Sequence, residues 1–225
     1  KKLFTEGFSQ GFFIDGTRSR TGKTLPPKLG LLSMLVDAFL DSKEPDAIFV
    51  PCHIAYERVI EAKAYAGELH GKAKEKESAA ALVKSAGILG GRYGHVFIGF
   101  DEPISLAAHL HSRGLSRDAT IDDDARRTAV QTLGHKIVYG INRACIVTAT
   151  ALVAAALVGL RQKGVDEALL LQTAAALVGH LRKKPRGAVR FEPGLSDDDV
   201  ESDLKAALDR LVADGLLVRT SAGER

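Results

Sequence analysis

The sequence predicts an α/β protein: a partial αβ domain with a mixed sheet over residues 1–112, then an α-helical region over 113–225. Three observations predict it. Short apolar runs alternate with helix-period stretches between residues 11 and 110. A polar segment follows at 114–127, and from about 125 onward helical patterning takes over. Strands separated by helices imply an α/β layer whose functional loops follow strand C-termini.

The first element expected is a strand at 11–15, where Phe12-Phe13-Ile14 leads into Asp15 and the turn residue Gly16. A helix is expected over 30–42, with Leu31, Leu35 and Phe39 at i, i+4 spacing. Strands at 47–51 and 95–100, rich in Val, Ile and Phe, read as buried, with helices at about 57–68 and 78–88 between them. On this reading the loops Asp15–Lys28 and Pro51–Glu57 reach the same edge of the sheet.

Asp122-Asp123-Asp124 in the polar segment reads as a solvated helix start rather than a metal site, because consecutive carboxylates in a turn point different ways. Between Ile137 and Leu160 only Arg143 is charged, and Ala144–Leu160 is free of charge, which reads first as a helix in the core, then as a helix lying in the membrane interface, and last as a membrane span. Asp166 is expected to cap a helix running to about Lys184. That helix ends in Arg182-Lys183-Lys184-Pro185-Arg186, with Arg190 close behind, a cationic stretch suited to a helix C-terminus or to anionic lipid headgroups. Ser196 and Asp199 form a capping-box-like start for a last helix with Val200, Leu204, Leu208 and Leu211 on one stripe. Gly215 stops it before Leu216-Leu217-Val218. Helix followed by strand hints at a winged-helix DNA reader, but Asp197, Asp198, Asp199, Glu201 and Asp203 would repel phosphates.

The formal net charge of the 225 residues is +3, and the isoelectric point is near 8.8. That mild excess argues against a dedicated nucleic-acid binder but allows an anionic substrate or a membrane surface. Cys52 and Cys145 stand far apart and are expected as reduced, buried thiols, Cys145 within an apolar helix, which fits a cytosolic face.

The densest chemistry lies in residues 11–30. An acid, Asp15, precedes four cations, Arg18, Arg20, Lys23 and Lys28, with no acid between them. An acid beside a compact cationic loop is how a phosphorylated small molecule is held. Gly22-Lys23-Thr24 ends the run as a nucleotide P-loop would, but that motif needs four residues between its glycines. Five separate Gly16 from Gly22, and Lys23 runs into Leu25-Pro26-Pro27, which cannot open the required helix.

The stretch FFIDGTRSRTGKTLPPKLGLLSM resembles block III of the glycerolipid acyltransferases, F-x-E-G-x-R-S-R, and in particular the PlsB-type glycerol-3-phosphate 1-O-acyltransferases. IFVPCHIAYERVIEAKAY (48–65) resembles their block IV, with a strand ending in Pro51, and the similarity continues through ELHGKAKEKES (68–78) and HVFIGFDEPI (95–104). The chain departs from the pattern in two ways. Asp15 replaces the family's Glu, and no histidine is followed by an acid at the H-x-x-x-x-D spacing except His70, whose fifth residue is Glu75 in a Lys/Glu-rich stretch. Since the chain opens on Lys1 in a segment that reads as mid-domain, the catalytic block is expected upstream, and no catalytic residue is assigned within it.

The resemblance implies acyl transfer from acyl-CoA or acyl-carrier protein to the 1-hydroxyl of sn-glycerol 3-phosphate, a step of phospholipid biosynthesis at the cytoplasmic face of the cell membrane, without cofactor or metal. The base would be the motif's histidine, absent here. Arg18 and Arg20 would bind the phosphate, Asp15 would orient an arginine or the glycerol hydroxyls, Gly16 would permit close approach and Pro51 would shape the wall. Lys23, Lys28, Lys74 and Tyr56 are weaker candidates, and His53 and Tyr56 lean toward structural roles. Other acceptors, dihydroxyacetone phosphate or 1-acylglycerol phosphate, remain open, though the PPKxG extension favours glycerol 3-phosphate. So do a non-catalytic phosphate- or nucleotide-binding module and a membrane-surface scaffold built on the basic 182–190 patch.

Overall fold

A computed structural model describes residues 2–17, 23–57, 94–116, 122–162, 164–185, 188–195 and 199–220. The expected helices at about 57–68 and 78–88 lie, Glu57 apart, outside these residues. The elements are α1 (Lys2–Thr5), α2 (Leu29–Leu40), β1 (Ile48–Phe49), β2 (Cys52–Tyr56), β3 (Val96–Phe100), β4 (Ile104–Ser105), α3 (Leu106–His111), α4 (Asp123–Arg143), β5 (Ile146–Val147), α5 (Ala149–Leu160), α6 (Glu167–Arg182), β6 (Arg190–Phe191) and α7 (Val200–Ala213). The α/β class holds, with the strands in two-stranded pairs: β1 with β4, β2 with β3, β5 with β6. The chain divides into two compact units, Lys1–His53 with Gly99–Cys145, and Ile54–Ile98 with Ile146–Arg225.

In the first unit, Leu32, Val36 and Phe39 of α2 are buried with Leu106 and Leu110 of α3 and with Ala129, Val130, Leu133 and Ile137 of α4. The buried face of α2 is therefore one residue round from the Leu31–Leu35 stripe expected; Leu31 and Met34 are exposed. A helix reading LGLLSMLVDAFL is apolar nearly all round, so spacing alone leaves its core face open. Asp37 on α2 pairs with Arg126 of α4 at 2.6 Å. β1 and β4 run antiparallel, Ile48 opposite Ser105 and Phe49 opposite Ile104. Asp46 ties this pair to α3. Its Oδ1 accepts from the Ala47 and Ala107 N–H groups at 2.7 and 2.8 Å. Burial works against its charge, yet hydrogen bonds from Ser105, Ala107, Ala47 and Leu106 hold its pKa below the usual carboxylate value.

The strand expected at 11–15 does not form. The backbone turns at Ile14–Asp15, and Gly16 N–H donates to the Phe13 carbonyl at 3.0 Å. Its three apolar residues do not share a face: Ile14 is buried, while Phe13 is 83% exposed. The run is a lead into the turn.

α4 starts where the acidic segment predicts a helix, with the Asp122 side chain accepting from Ala125 N–H. The uncharged stretch after it is not one helix. α4 ends at Arg143, β5 follows at Ile146–Val147, and Thr148 caps the new helix α5 by accepting from Ala151 N–H. Thr148 offers an acceptor to a helix N-terminus, and the sequence between two apolar stretches supplies nothing else that marks the break. Cys145, expected buried in a helix, lies exposed past the end of α4; Cys52 is half-buried. Among the described residues, no helix is long and apolar enough to cross a membrane.

The second unit is a three-helix assembly of α5, α6 and α7. Ala149, Ala156, Ala174 and Ala207 are fully buried between larger Leu and Val side chains, so the alanine bias lets helices approach closely. Asp166 caps α6 through Leu169 N–H, as the sequence predicts. The cap of α7 is Asp199, accepting from Ser202 N–H; Ser196 lies outside the described residues. β5 and β6 pair in parallel, Ile146 opposite Arg190, so the all-helical tail contains a small strand pair. Gly215, with φ +65, ends α7, and residues 216–218 are not a strand.

Candidate functional site

In the first unit, the Asp15 loop is closed at its neck: Lys28 N–H donates to the Ile14 carbonyl at 2.7 Å. Gly16 occupies the left-handed region, φ +61, where an L side chain is strained. A Cβ there would also come within 3.1 Å of Lys28 Cγ, so the Lys28 stem crosses the turn beside Asp15. Arg18, Arg20 and Lys74 lie outside the described residues. Lys23 and Lys28 are exposed, Asp15 half-buried.

The returning strand of this loop is laid along α4. A Cβ at Gly134 would meet Leu29 Cδ2 at 2.8 Å and the Pro27 ring at 3.3 Å. Two turns on, the Thr24 hydroxyl donates to Asn142 Oδ1 at 2.7 Å. Pro27, one of the two prolines that exclude a P-loop helix, thus gives the loop a rigid back that packs on a helix surface cleared by glycine.

Pro51 is brought to the same helix. It is buried, and a Cβ at Gly140 would fall 2.7 Å from its Cγ, 2.9 Å from its Cβ and 3.1 Å from Asp101 Oδ2. Asp101 N–H donates to the Pro51 carbonyl at 3.0 Å, at the end of the β2–β3 pair. The Asp101 side chain is 7% exposed and stands 3.5 Å from a terminal guanidinium nitrogen of Arg143, the last residue of α4. The last turn of α4 therefore gathers the loop through Thr24, Pro51 through Gly140, and the end of β3 through Asp101. His53, two residues beyond Pro51, is half-buried. Its Nδ1 is buried without a hydrogen-bond partner, and burial pushes its pKa down, so the imidazole is neutral near pH 7.

Sequence reasoning named Asp15, Gly16, Lys23, Lys28 and Pro51 for this region and missed Asp101, Gly140, Asn142 and Arg143. Arg143 was visible as the lone charge in 137–160, but nothing in the spacing shows that it meets the end of β3. A cleft of about 430 Å³ elsewhere in the unit, lined by Phe4, Phe8, Phe12 and Phe49 with Glu44 and Asp46, offers carboxylates and aromatic rings and suits no phosphate.

Tyr56 belongs to the second unit and is exposed. Beside it Glu57, 11% exposed, accepts from His95 N–H and contacts His95 Nδ1, both at 2.9 Å, and pairs with Arg210 of α7 at 3.1 Å. Burial opposes its charge, but the His95 hydrogen bonds and Arg210 hold its pKa below the usual value. Both carboxylate oxygens are engaged, which makes Glu57 a brace between the strand pair and α7.

Residues 65–225 match the family model described as the glycerol-3-phosphate acyltransferase C-terminal region. Curated relatives named glycerol-3-phosphate acyltransferase are similar over most of the chain. The protein of Pseudomonas putida (strain W619) is 37% identical over 188 residues, covering 81% of this chain and 23% of its own length. That of Pseudomonas entomophila (strain L48) is 36% identical over the same length and shares. That of Pseudomonas fluorescens (strain Pf0-1) is 36% identical over 193 residues, 81% of this chain and 22% of its own. The chain thus spans less than a quarter of the length of these relatives.

Proposed function

From the premise that the chain belongs to the glycerol-3-phosphate acyltransferase family, matched through its C-terminal region, we propose that its first unit is the acceptor half of an acyl-transfer site. Glycerol 3-phosphate is held there so that its 1-hydroxyl can attack the thioester of acyl-CoA or of acyl-carrier protein. The attack forms the ester, breaks the thioester C–S bond and releases the thiol. The general base belongs to a part of the enzyme outside these 225 residues, since no histidine here carries the H-x-x-x-x-D spacing. Arg18 and Arg20 grip the phosphate, Asp15 orients an arginine or the glycerol hydroxyls, and Pro51 forms the wall.

The observation that supports this most is the convergence on α4. Thr24 bonds Asn142 and Pro51 abuts Gly140, so the two segments with acyltransferase-like motifs meet on one helix within the same turn. Titration of the chain with glycerol 3-phosphate against glycerol, followed by arginine side-chain NMR, tests it. Phosphate-dependent shifts are expected, and equal responses to both ligands would overturn the reading.

Lys183 and Lys184, exposed after α6, are proposed to contact anionic lipid at the cytoplasmic membrane face. Flotation with vesicles containing phosphatidylglycerol should retain the protein and neutral vesicles should not; Lys183→Glu with Lys184→Glu should abolish the difference.

A further inference from the structure

The geometry points to Arg143 as a further phosphate-binding residue of the acceptor site, with Asp101 as the residue that positions it. This rests on the acceptor-site reading above and adds to it a cation from outside the loop.

The Asp101–Arg143 pair is built in a way that stability alone does not explain. Asp101 Oδ1 is buried and makes no hydrogen bond. Its contact with Arg143, at 3.5 Å, is longer than the 2.7–2.9 Å of a charge-assisted hydrogen bond. Leaving a buried acceptor unpaired is unfavourable, the more so when it is charged. What the arrangement achieves is orientation: a fixed negative charge beneath one edge of a guanidinium whose side chain remains 48% exposed.

That exposed cation is in the right place. Arg143 follows Asn142, which accepts from Thr24, and Lys23 precedes Thr24, so each partner of that hydrogen bond has a cation next to it in the chain. On its other side Arg143 is tied through Asp101 to the Pro51 carbonyl. The end of α4 stabilises a cation and repels an anion. Phosphate binding here therefore depends on the guanidinium fork, which offers two parallel N–H donors to two phosphate oxygens.

The test is arginine Nε–Hε NMR on the 225-residue chain, with the Arg143 resonance identified by its loss in Arg143→Gln. Glycerol 3-phosphate and inorganic phosphate should shift it and glycerol should not. Arg143→Gln should weaken glycerol 3-phosphate binding by about tenfold, the loss of one charge-assisted contact, with Arg143→Lys between it and the parent. Asp101→Asn should weaken binding several-fold while glycerol remains without effect; melting curves on each variant confirm the fold. If Arg143 stays unmoved while other arginines respond, this proposal is overturned and the acceptor site stands. If no arginine responds to glycerol 3-phosphate into the millimolar range, both readings fall. Unchanged affinity in Asp101→Asn would remove Asp101 from its role.

Discussion

Pro51 packs on Gly140 with no space for a methyl group: a Cβ at 140 would stand 2.7 Å from the proline Cγ and 2.9 Å from its Cβ. A glycine inside a 21-residue helix costs about 0.5–1 kcal/mol relative to alanine. Here it allows a rigid ring to lie against the helix backbone. The same helix repeats the device at Gly134 against Leu29 and Pro27, and between the two it positions both segments of the candidate site.

Gly140→Ala should destabilise the protein by about 1–3 kcal/mol, because the proline ring cannot rotate away and overpacking outweighs the gain in helix propensity. Gly134→Ala should cost less, since its nearest neighbour is the end of the Leu29 side chain. Urea denaturation of both variants measures the order. Equal or greater stability for Gly140→Ala would contradict the close packing.

Gly179→Ala supplies the contrast. Gly179 lies within α6 with nothing within 4 Å of a would-be Cβ. Only backbone entropy is at stake, so a gain of about 0.5–1 kcal/mol is expected in the same assay.

Glu192 gives a pH dependence whose sign can be worked out. It is buried, and burial, with the charges of Glu57 and Asp203 adding, raises its pKa above the ordinary 4.5 despite the Ala149 N–H bond and Arg210. Between the unfolded and folded pKa values the native state binds the extra proton, so the contribution of Glu192 to stability falls as pH rises above 4.5. Glu192→Gln keeps an oxygen for Ala149 N–H, 3.0 Å away, and carries no charge. Its Tm should match the parent near pH 4 and exceed it at pH 7. A lower Tm at pH 7 would show that the ionised carboxylate stabilises the fold.

What the sequence disclosed was mostly local. The Asp122 and Asp166 caps, the Gly215 stop and the extent of α2 all follow from interactions within a few residues. No strand forms at 11–15, because a strand needs a partner and apolar residues alone do not show that one exists. The stretch 144–160 reads as one helix in the sequence because a threonine between apolar residues does not announce a cap. α4 packs within the first unit through Gly134 and Gly140. Those glycines look like propensity defects until their distant neighbours are known. The motifs single out Asp15, Gly16 and Pro51 as candidates. Asp101 and Arg143 depend on a pairing across the fold that no local pattern encodes.

Gly16 links the loop's backbone to its chemistry. Its φ of +61 and the 3.1 Å approach of Lys28 to a would-be Cβ act together in Gly16→Ala. The left-handed conformation costs a non-glycine residue about 1–2 kcal/mol. The chain can relieve this by flipping the turn, at the expense of the Gly16–Phe13 hydrogen bond and of the direction in which Asp15 is presented. Gly16→Asn tolerates the left-handed region better while still crowding Lys28, so the pair separates the two causes. If conformation dominates, Gly16→Ala should weaken glycerol 3-phosphate binding more than Gly16→Asn does. If crowding by Lys28 dominates, Asn should be the worse, and removing the lysine stem in Gly16→Asn with Lys28→Ala should restore the turn. A binding constant unaffected by either change would mean that the turn does not set the geometry of the acceptor loop.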